Sequence, residues 1–387
     1  MRGGSGEPPA VNVSIPEAAA KRWGTPPWSL HARIPAARLP PSCDLAVVGA
    51  GVTGLACGAV AARRGLRVVV LEAAKVGAGA SGRTGGIVLE ETAAGPLEGV
   101  TACIPALERI LRELRIQCDL GLGKCWELAH RRGREPAVPG WTDGGERLVV
   151  REVVPGGTID PGSLLTGLAR AVLDAGGIIA EGSAVRAFRS GPRTALDLAR
   201  GSLTAGHVVL AMNAYTKGLA PEIEDVRAAL TLAICTEPLD PETIASIGLR
   251  GGTPFYTADL PYLWGRPLAD GRLIFGSGLA FDPSGDLSRI QIREGDAAAA
   301  LASLEARVRG LHPKLAGVRV ATRWGGPVAF SRDRRPILAP LARAPRVLVT
   351  GAYAGHGIAL GVRIGELVAD WAAGVGELPA WSQPLQR

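Results

Sequence analysis

Three glycines and one acid carry the clearest chemistry in this sequence. Gly49, Gly51 and Gly54 stand at G-x-G-x-x-G spacing, and Glu72 follows roughly twenty residues on. At such a site the first glycine permits a tight turn, the second lets the backbone approach a pyrophosphate, and the third lets a helix pack close to a strand. Val52 and Thr53 fall where that helix begins, at the end whose free N–H groups and positive dipole favour an anion. Glu72, with Ala73 beside it, stands where an acid accepts hydrogen bonds from a ribose hydroxyl. Spaced glycines alone say little in a chain that holds 53 of them. The flanking elements make the case: residues 45–48 read as a strand buried on both faces, a helical pattern begins at Leu55, and the apolar run 66–71 ends at the acid. Together they read as a dinucleotide site rather than a purely structural crossover.

Two further stretches are too rich in small residues to be ordinary helix or strand. Residues 78–86, Ala-Gly-Ala-Ser-Gly-Arg-Thr-Gly-Gly, lie where a second phosphate and a flavin ring would fall if the ligand were FAD. Near the other end of the chain, a buried strand at 347–350 enters Gly351-Ala352-Tyr353-Ala354-Gly355-His356-Gly357, and a strong helix runs on from Ile358. Two glycine-rich strand-to-helix turns so far apart are hard to explain without one ligand held between them.

On these residues the sequence resembles the D-amino-acid oxidase-like superfamily of FAD-dependent oxidoreductases, and within it the glycine, sarcosine and gamma-glutamylputrescine oxidase type. The last group usually carries G-A-S-G-R-N-G-G, where this chain has Thr84 in place of the Asn. The turn at 351–357 matches the family's G-x-x-G-H-G, and the resemblance extends over residues 20–380. It implies an α/β chain (α+β overall) with a Rossmann-like FAD-binding domain and an inserted, mainly antiparallel β-sheet substrate domain. The implied boundaries are an extended N-terminal surface arm at 1–40, whose first residues are expected to be unstructured, a discontinuous FAD-binding domain at 41–90, 155–220 and 325–380, and a substrate cap at 91–154 and 221–324. The resemblance also implies FAD contacts at Ser81, Arg83, Thr84, Gly85, Gly86, Val185, Ala211, Gly351, Gly355, His356, Gly357 and Ile358. Val185 would pass the adenine through its backbone. Covalent attachment is not expected, because residues 327–332 hold no Cys and residues 84–92 no His.

The activity implied is oxidation of a C–N bond of an amine or amino acid by hydride transfer to flavin N5, giving an imine, with O2 reoxidising the flavin to release H2O2. The alternatives are an amine dehydrogenase or biosynthetic tailoring enzyme with another electron acceptor, and a non-catalytic flavin-binding subunit. An NAD-linked dehydrogenase would leave the C-terminal turn without a role. Tyr256, Arg266 and His356 are the candidate catalytic residues. For Tyr256 the rival reading is a core aromatic, for Arg266 a solvated strand residue rather than a carboxylate anchor, and for His356 support of the loop. Arg83 either contacts the flavin or packs the loop. Arginines in the expected sheet lean towards a carboxylate-bearing amine, and that segment lacks the acidic cluster a polyamine would want.

The elements that must position these residues are legible in outline. Ile104, Leu107, Leu111 and Leu114 recur at helical spacing; Asp160-Pro161 is a capped helix start ending at Gly176-Gly177; and between 227 and 324 strands alternate with Pro, Asp and Gly turns, as in an antiparallel sheet, before a helix at 296–309. A 47% hydrophobic content suffices for a core even with 4% aromatics. The net charge of +7 comes from arginines scattered singly, so no nucleic-acid partner is expected. The six cysteines show neither C-x-x-C nor metal-ligand spacing with His, which reads as reduced, buried thiols without a metal. The apolar stretch 45–62 is broken by glycines and stopped by Arg63-Arg64, so no membrane span is expected; with no signal-peptide pattern at 1–20, a cytoplasmic protein is.

Overall fold

Apolar residues on both faces of a short strand demand layers above and below it, and 45–48 obtain both. A computed structural model describes residues 18–131, 139–199 and 201–384; the first residues of the arm lie outside them. In chain order the elements are α1 (Ala18–Trp23), β1 (Ser42–Val48), α2 (Val52–Arg63), β2 (Val68–Leu71), β3 (Ile87–Leu89), α3 (Cys103–Glu113), β4 (Gly121–Arg131), β5 (Pro139–Asp143), β6 (Glu146–Thr158), α4 (Pro161–Asp174), β7 (Ile178–Ala180), β8 (Val185–Arg189), β9 (Thr194–Leu198) and β10 (Ser202–Leu210). Then follow β11 (Arg227–Thr236), α5 (Pro241–Ser246), β12 (Phe255–Thr257), β13 (Leu263–Pro267), β14 (Leu273–Ala280), α6 (Gly295–Leu311), β15 (Val320–Phe330), β16 (Ile337–Leu341), β17 (Ala344–Gly351) and α7 (Ala359–Ala372).

The first sheet has eight strands in the order β16-β17-β10-β1-β2-β7, with the β8–β9 hairpin joined through β9 to β10. From β17 to β7 the pairing is parallel, and β16 closes one edge antiparallel. Leu45 and Val47 of β1 pack into a core with α2, α3, α4 and α7, while Ala46 and Val48 face a second layer that includes β8 and β9. A central parallel strand covered on both sides needs this continuous apolar run. The expected cap of α4 is present: the Asp160 carboxylate accepts from Ser163 N, with Pro161 as the first helical residue.

The second sheet has nine strands in the order β15-β11-β14-β13-β12-β4-β6-β3, with β5 on β6. One face is covered by α6 over a core containing Trp141, Phe255 and Phe275. Period-2 alternation turns Leu263 of β13 into that core and leaves Trp264 and Arg266 on the opposite face, towards the first unit. β6 and β15 of this sheet run through residues 154 and 324, and β3 ends at Leu89, next to the expected boundary at 90.

The N-terminal arm is anchored at Trp23. Trp23, at the end of α1, is 2% exposed and donates through Nε1 to Ile290 O at 2.9 Å, and Gly24 bridges to Trp324 of β15. Burying an indole on this scale, with its N–H paired, ties this end of the arm to the core. Among the described residues no helix is long and apolar enough to cross a membrane.

Candidate active site

The first glycine-rich turn is built by close backbone approach. Gly49 has φ +110°, and a Cβ on Gly54 would lie 2.0 Å from Gly49 O. Neither position accepts a side chain without moving backbone. Gly51 precedes α2, and Val52 N at the start of that helix donates to Ser81 Oγ at 3.0 Å. Ser81 comes from a short 3-10 turn, Ala80–Arg83, so its hydroxyl stands at the positive end of α2. Glu72 is 8% exposed; its two oxygens accept from Ala50 N at 2.9 Å and Ala74 N at 2.8 Å. Burial pushes the Glu72 carboxyl up, and the two backbone N–H groups partly oppose it. Each oxygen keeps a lone pair for a further donor.

These residues line one groove of about 820 Å3, counting the part open to solvent. Gly49, Gly51, Glu72, Ala73, Ser81, Val185 and Ala211 all border it, as do Ser183, Met212, Asn213 and Tyr215. Tyr215 lines the groove and its hydroxyl is buried with no hydrogen-bond partner. A native buried hydroxyl without a partner calls for one. A glycine floor, a helix N-terminus, a buried acid and an orphan hydroxyl fit a dinucleotide. Asn213 and Tyr215 were missed as lining residues. Their segment was legible only as the exit of a strand.

The second turn does not border that groove, yet it is tied to the first. Thr53 Oγ1 donates to Tyr353 Oη at 3.1 Å, and Tyr353 Oη lies 2.8 Å from Thr350 Oγ1, so one phenol joins the two turns. Burial pushes that phenol up to about 12. Here it is alanine that takes left-handed backbone: Ala352 has φ +57° and Ala354 φ +50°, with Gly355 at +94°. Ala352 N is held by Asn213 Oδ1 at 3.0 Å. Nδ1 of His356 lies 3.4 Å from Ala354 O, and burial pushes its pKa down, leaving the imidazole neutral at pH 7. Gly357 and Ile358 precede α7, and their N–H groups sit at its positive end.

A row of residues in register crosses the face of the second sheet that looks towards these turns: Glu127, Tyr256, Trp264, Gly276, Ala233 and Trp324. Trp264 lies against two glycines; a Cβ would come within 2.0 Å of its ring at Gly276 and 2.2 Å at Gly85. No periodicity singled it out in the sequence. Tyr256 donates to Glu127 Oε2 at 2.9 Å, and Glu127 Oε1 is 3.1 Å from Arg151 Nε. Burial, then the Glu127 contact, raises the phenol's pKa, so Tyr256 stays protonated.

Arg266 is not the solvated strand residue of the rival reading. It is 7% exposed, and its Nε and Nη2 donate to Gly85 O at 2.6 Å and Ile159 O at 3.1 Å. Arg83 packs the loop: its Nη1 donates to Gly24 O and Gly325 O, each at 3.0 Å, and its guanidinium lies over Trp23. Trp28 Nε1 and Trp324 Nε1 in turn hold Gly82 O at 2.8 Å and Arg83 O at 3.0 Å. Thr84 follows in extended backbone. Of the sheet arginines, Arg151 pairs with Glu127, Arg272 with Asp270 and Arg323 with Glu305. All six cysteines are buried and free.

A profile of the family described as FAD dependent oxidoreductase matches residues 44–371. Gamma-glutamylputrescine oxidoreductase of Escherichia coli (strain K12) is 26% identical over 380 residues, covering 87% of this chain and 85% of its own. Among solved structures, glycine oxidase from Geobacillus kaustophilus superposes with a TM-score of 0.72 at 21% identity, over 90% of this chain and 99% of its own. L-proline dehydrogenase from P. horikoshii gives 0.71 at 17%, over 90% and 98%.

Proposed function

The chain belongs to the FAD dependent oxidoreductase family, and from that premise we propose that it oxidises a C–N bond of an amine or amino acid, with FAD held non-covalently and O2 as the electron acceptor. The observation that carries this reading is the pairing of two glycine-rich turns, joined at Tyr353, beneath a sheet whose near face presents Trp264 and Tyr256.

FAD bound here supplies a two-electron acceptor for the hydride leaving the substrate carbon, and water then hydrolyses the imine. The chain's task is to bind and orient. Gly49, Gly51, Ser81 and the start of α2 would cradle the pyrophosphate, Glu72 would take the ribose, and Tyr215 would donate to an acceptor on the cofactor. The positive end of α7, beside the second turn, would favour negative charge on a ring held there. Trp264 and Tyr256 shape the substrate space and exclude water from it. Neutral His356 supports the turn. Non-covalent attachment rests on the absence of Cys at 327–332 and of His at 84–92. Six free, buried thiols favour a reducing compartment, the cytoplasm.

The test begins with an absorption spectrum of the purified protein before and after acid precipitation, followed by an anaerobic screen of amines and amino acids read by bleaching. The expected result is flavin released to the supernatant, bleaching by at least one amine, and peroxide on admitting air. Flavin retained in the pellet would refute the attachment reading. Bleaching with dye reduction but without peroxide would make the protein a dehydrogenase, and a flavin that no amine bleaches would overturn the reaction itself.

A further inference from the structure

The hairpin that presents Tyr256 and Trp264 is closed by residues 258–262, and apolar packing does little to hold that loop: Leu260 is 69% exposed. Polar groups hold it instead, from three other elements. Arg307 of α6 donates through Nη1 to Pro261 O at 2.7 Å, and Arg334, between β15 and β16, donates to Tyr262 Oη at 2.5 Å. The third grip is His130, near the end of β4, whose backbone N–H donates to Asp259 Oδ2 at 2.8 Å. Its ring lies between two acids: Nδ1 is 2.9 Å from Asp259 Oδ2, and Nε2 is 2.9 Å from Asp143 Oδ2. Asp143, in β5, is itself fixed by Arg307, which donates to it through Nε at 2.9 Å and Nη2 at 2.5 Å.

A neutral imidazole carries one N–H, so only the imidazolium donates to both acids. The acids do not supply the missing proton. Burial works against an ionised Asp143, but Arg307 and then His130 outweigh it and hold the carboxyl below the usual carboxylate range. Asp259 is also held low, first by the His130 backbone N–H. Arg151 of β6 adds positive charge towards Asp259, whereas Leu148, opposite His130 on that strand, brings none. Losing its second proton would set a ring lone pair against a carboxylate oxygen. Asp143 is pinned by the Arg307 fork and the Asp259 side chain is 44% exposed, so the loop is the side that lets go.

We propose that His130, as the imidazolium, is a positioning residue: it clasps loop 258–262 to β5 and α6, steadying Tyr256 and Trp264, which stand opposite one another in β12 and β13, until rising pH removes its second ring proton. The clasped loop needs that proton and the open one does not. Closure is therefore strongest in mild acid and is lost as pH rises through the imidazole's titration. The clasp stands on its own geometry; its effect on turnover rests on the flavin reading above.

The experiment follows backbone hydrogen exchange in peptides covering residues 258–262 of the holoenzyme from mild acid to mild alkali, corrected for intrinsic exchange. In the unsubstituted protein, protection should fall about tenfold over that range, the scale of one hydrogen bond to a charged group. His130→Gln has no second donor to gain and should be poorly protected and flat. Asp259→Asn offers the ring a donor and an acceptor, meets it in either protonation state, and should also be flat. Kinetics separate positioning from bulk structure, because the amine's own titration cancels in the ratio of two KM values. That ratio, His130→Gln over the unsubstituted protein, should be about ten in mild acid and approach one in mild alkali, at little-changed kcat. A ratio independent of pH means a structural role and overturns the proposal. So does protection in the unsubstituted protein that ignores pH, or a pH dependence that survives in either variant. If His130→Gln does not fold, the unsubstituted protein's exchange profile and Asp259→Asn still decide. Should exchange show the clasp while no amine bleaches the flavin, the oxidase reading fails and the clasp remains.

Discussion

The two glycine-rich turns look alike in sequence and differ in how they hold their shape. In the first, glycine stands where backbone meets backbone, with Gly54 packed onto Gly49 O and Gly49 itself left-handed. In the second, left-handed backbone is forced on Ala352 and Ala354, and the turn is held from outside by Asn213, at Ala352 N, and by Thr53, at the Tyr353 hydroxyl. The first is shaped by what its residues lack. The second is shaped by its neighbours, and it keeps the strain that tends to collect at functional sites.

Four measurements test that contrast. The largest effect is expected from Gly54→Val, whose side chain must displace the Gly49 carbonyl; a loss of about 3 kcal/mol or more, with loss of bound flavin, should appear in thermal melts and flavin content. Tyr353→Phe removes the Thr53 contact between the turns, together with the Thr350 contact at the foot of the second, and should cost about 1–3 kcal/mol and weaken FAD retention. If Tyr353→Phe holds flavin as firmly as the parent, the turns are not coupled through it. Ala352→Gly and Gly49→Ala make a mirrored pair. Relief of left-handed alanine should stabilise the fold by up to about 1 kcal/mol, whereas the reverse exchange at Gly49 should destabilise it. The same sign for both would erase the distinction.

The smallest effect concerns pH. Glu72 is raised above its ordinary value of 4.5 by burial, so the apo native state binds its proton more readily than the unfolded chain. Apo stability attributable to this group should therefore rise as pH falls through the raised value. FAD needs the ionised acceptor at the ribose, so affinity should move the opposite way, weakening over the same interval. Equilibrium dialysis and apo-protein melts across mild acid check both arms, and parallel trends would remove Glu72 from the ribose site.

The first turn was legible because everything it needs is local: strand, glycines, helix and acid fall within a single stretch of chain. The alternation of 227–324 likewise announced an antiparallel sheet, and β12 was found at Phe255–Thr257. What stayed hidden was register between distant strands. Tyr256 meets Glu127 across 129 residues of chain, and nothing in β4, whose polar and apolar residues alternate poorly, marked it as a neighbour. For Arg266 the sequence left two readings, a carboxylate anchor or a solvated strand residue, and only the packing of the loop against it shows where its hydrogen bonds go.

The clamp on loop 82–86 has a consequence in time. Gly82 and Arg83 are clamped by Trp28 from one side and by Trp324, made 241 residues after Arg83, from the other. The Thr53–Tyr353 contact waits for 300. A chain emerging from the ribosome can therefore complete its first dinucleotide motif early, yet has no closed site until nearly all of it has been synthesised. Such non-local closure is slow, and the nascent protein passes most of its synthesis as a half-site.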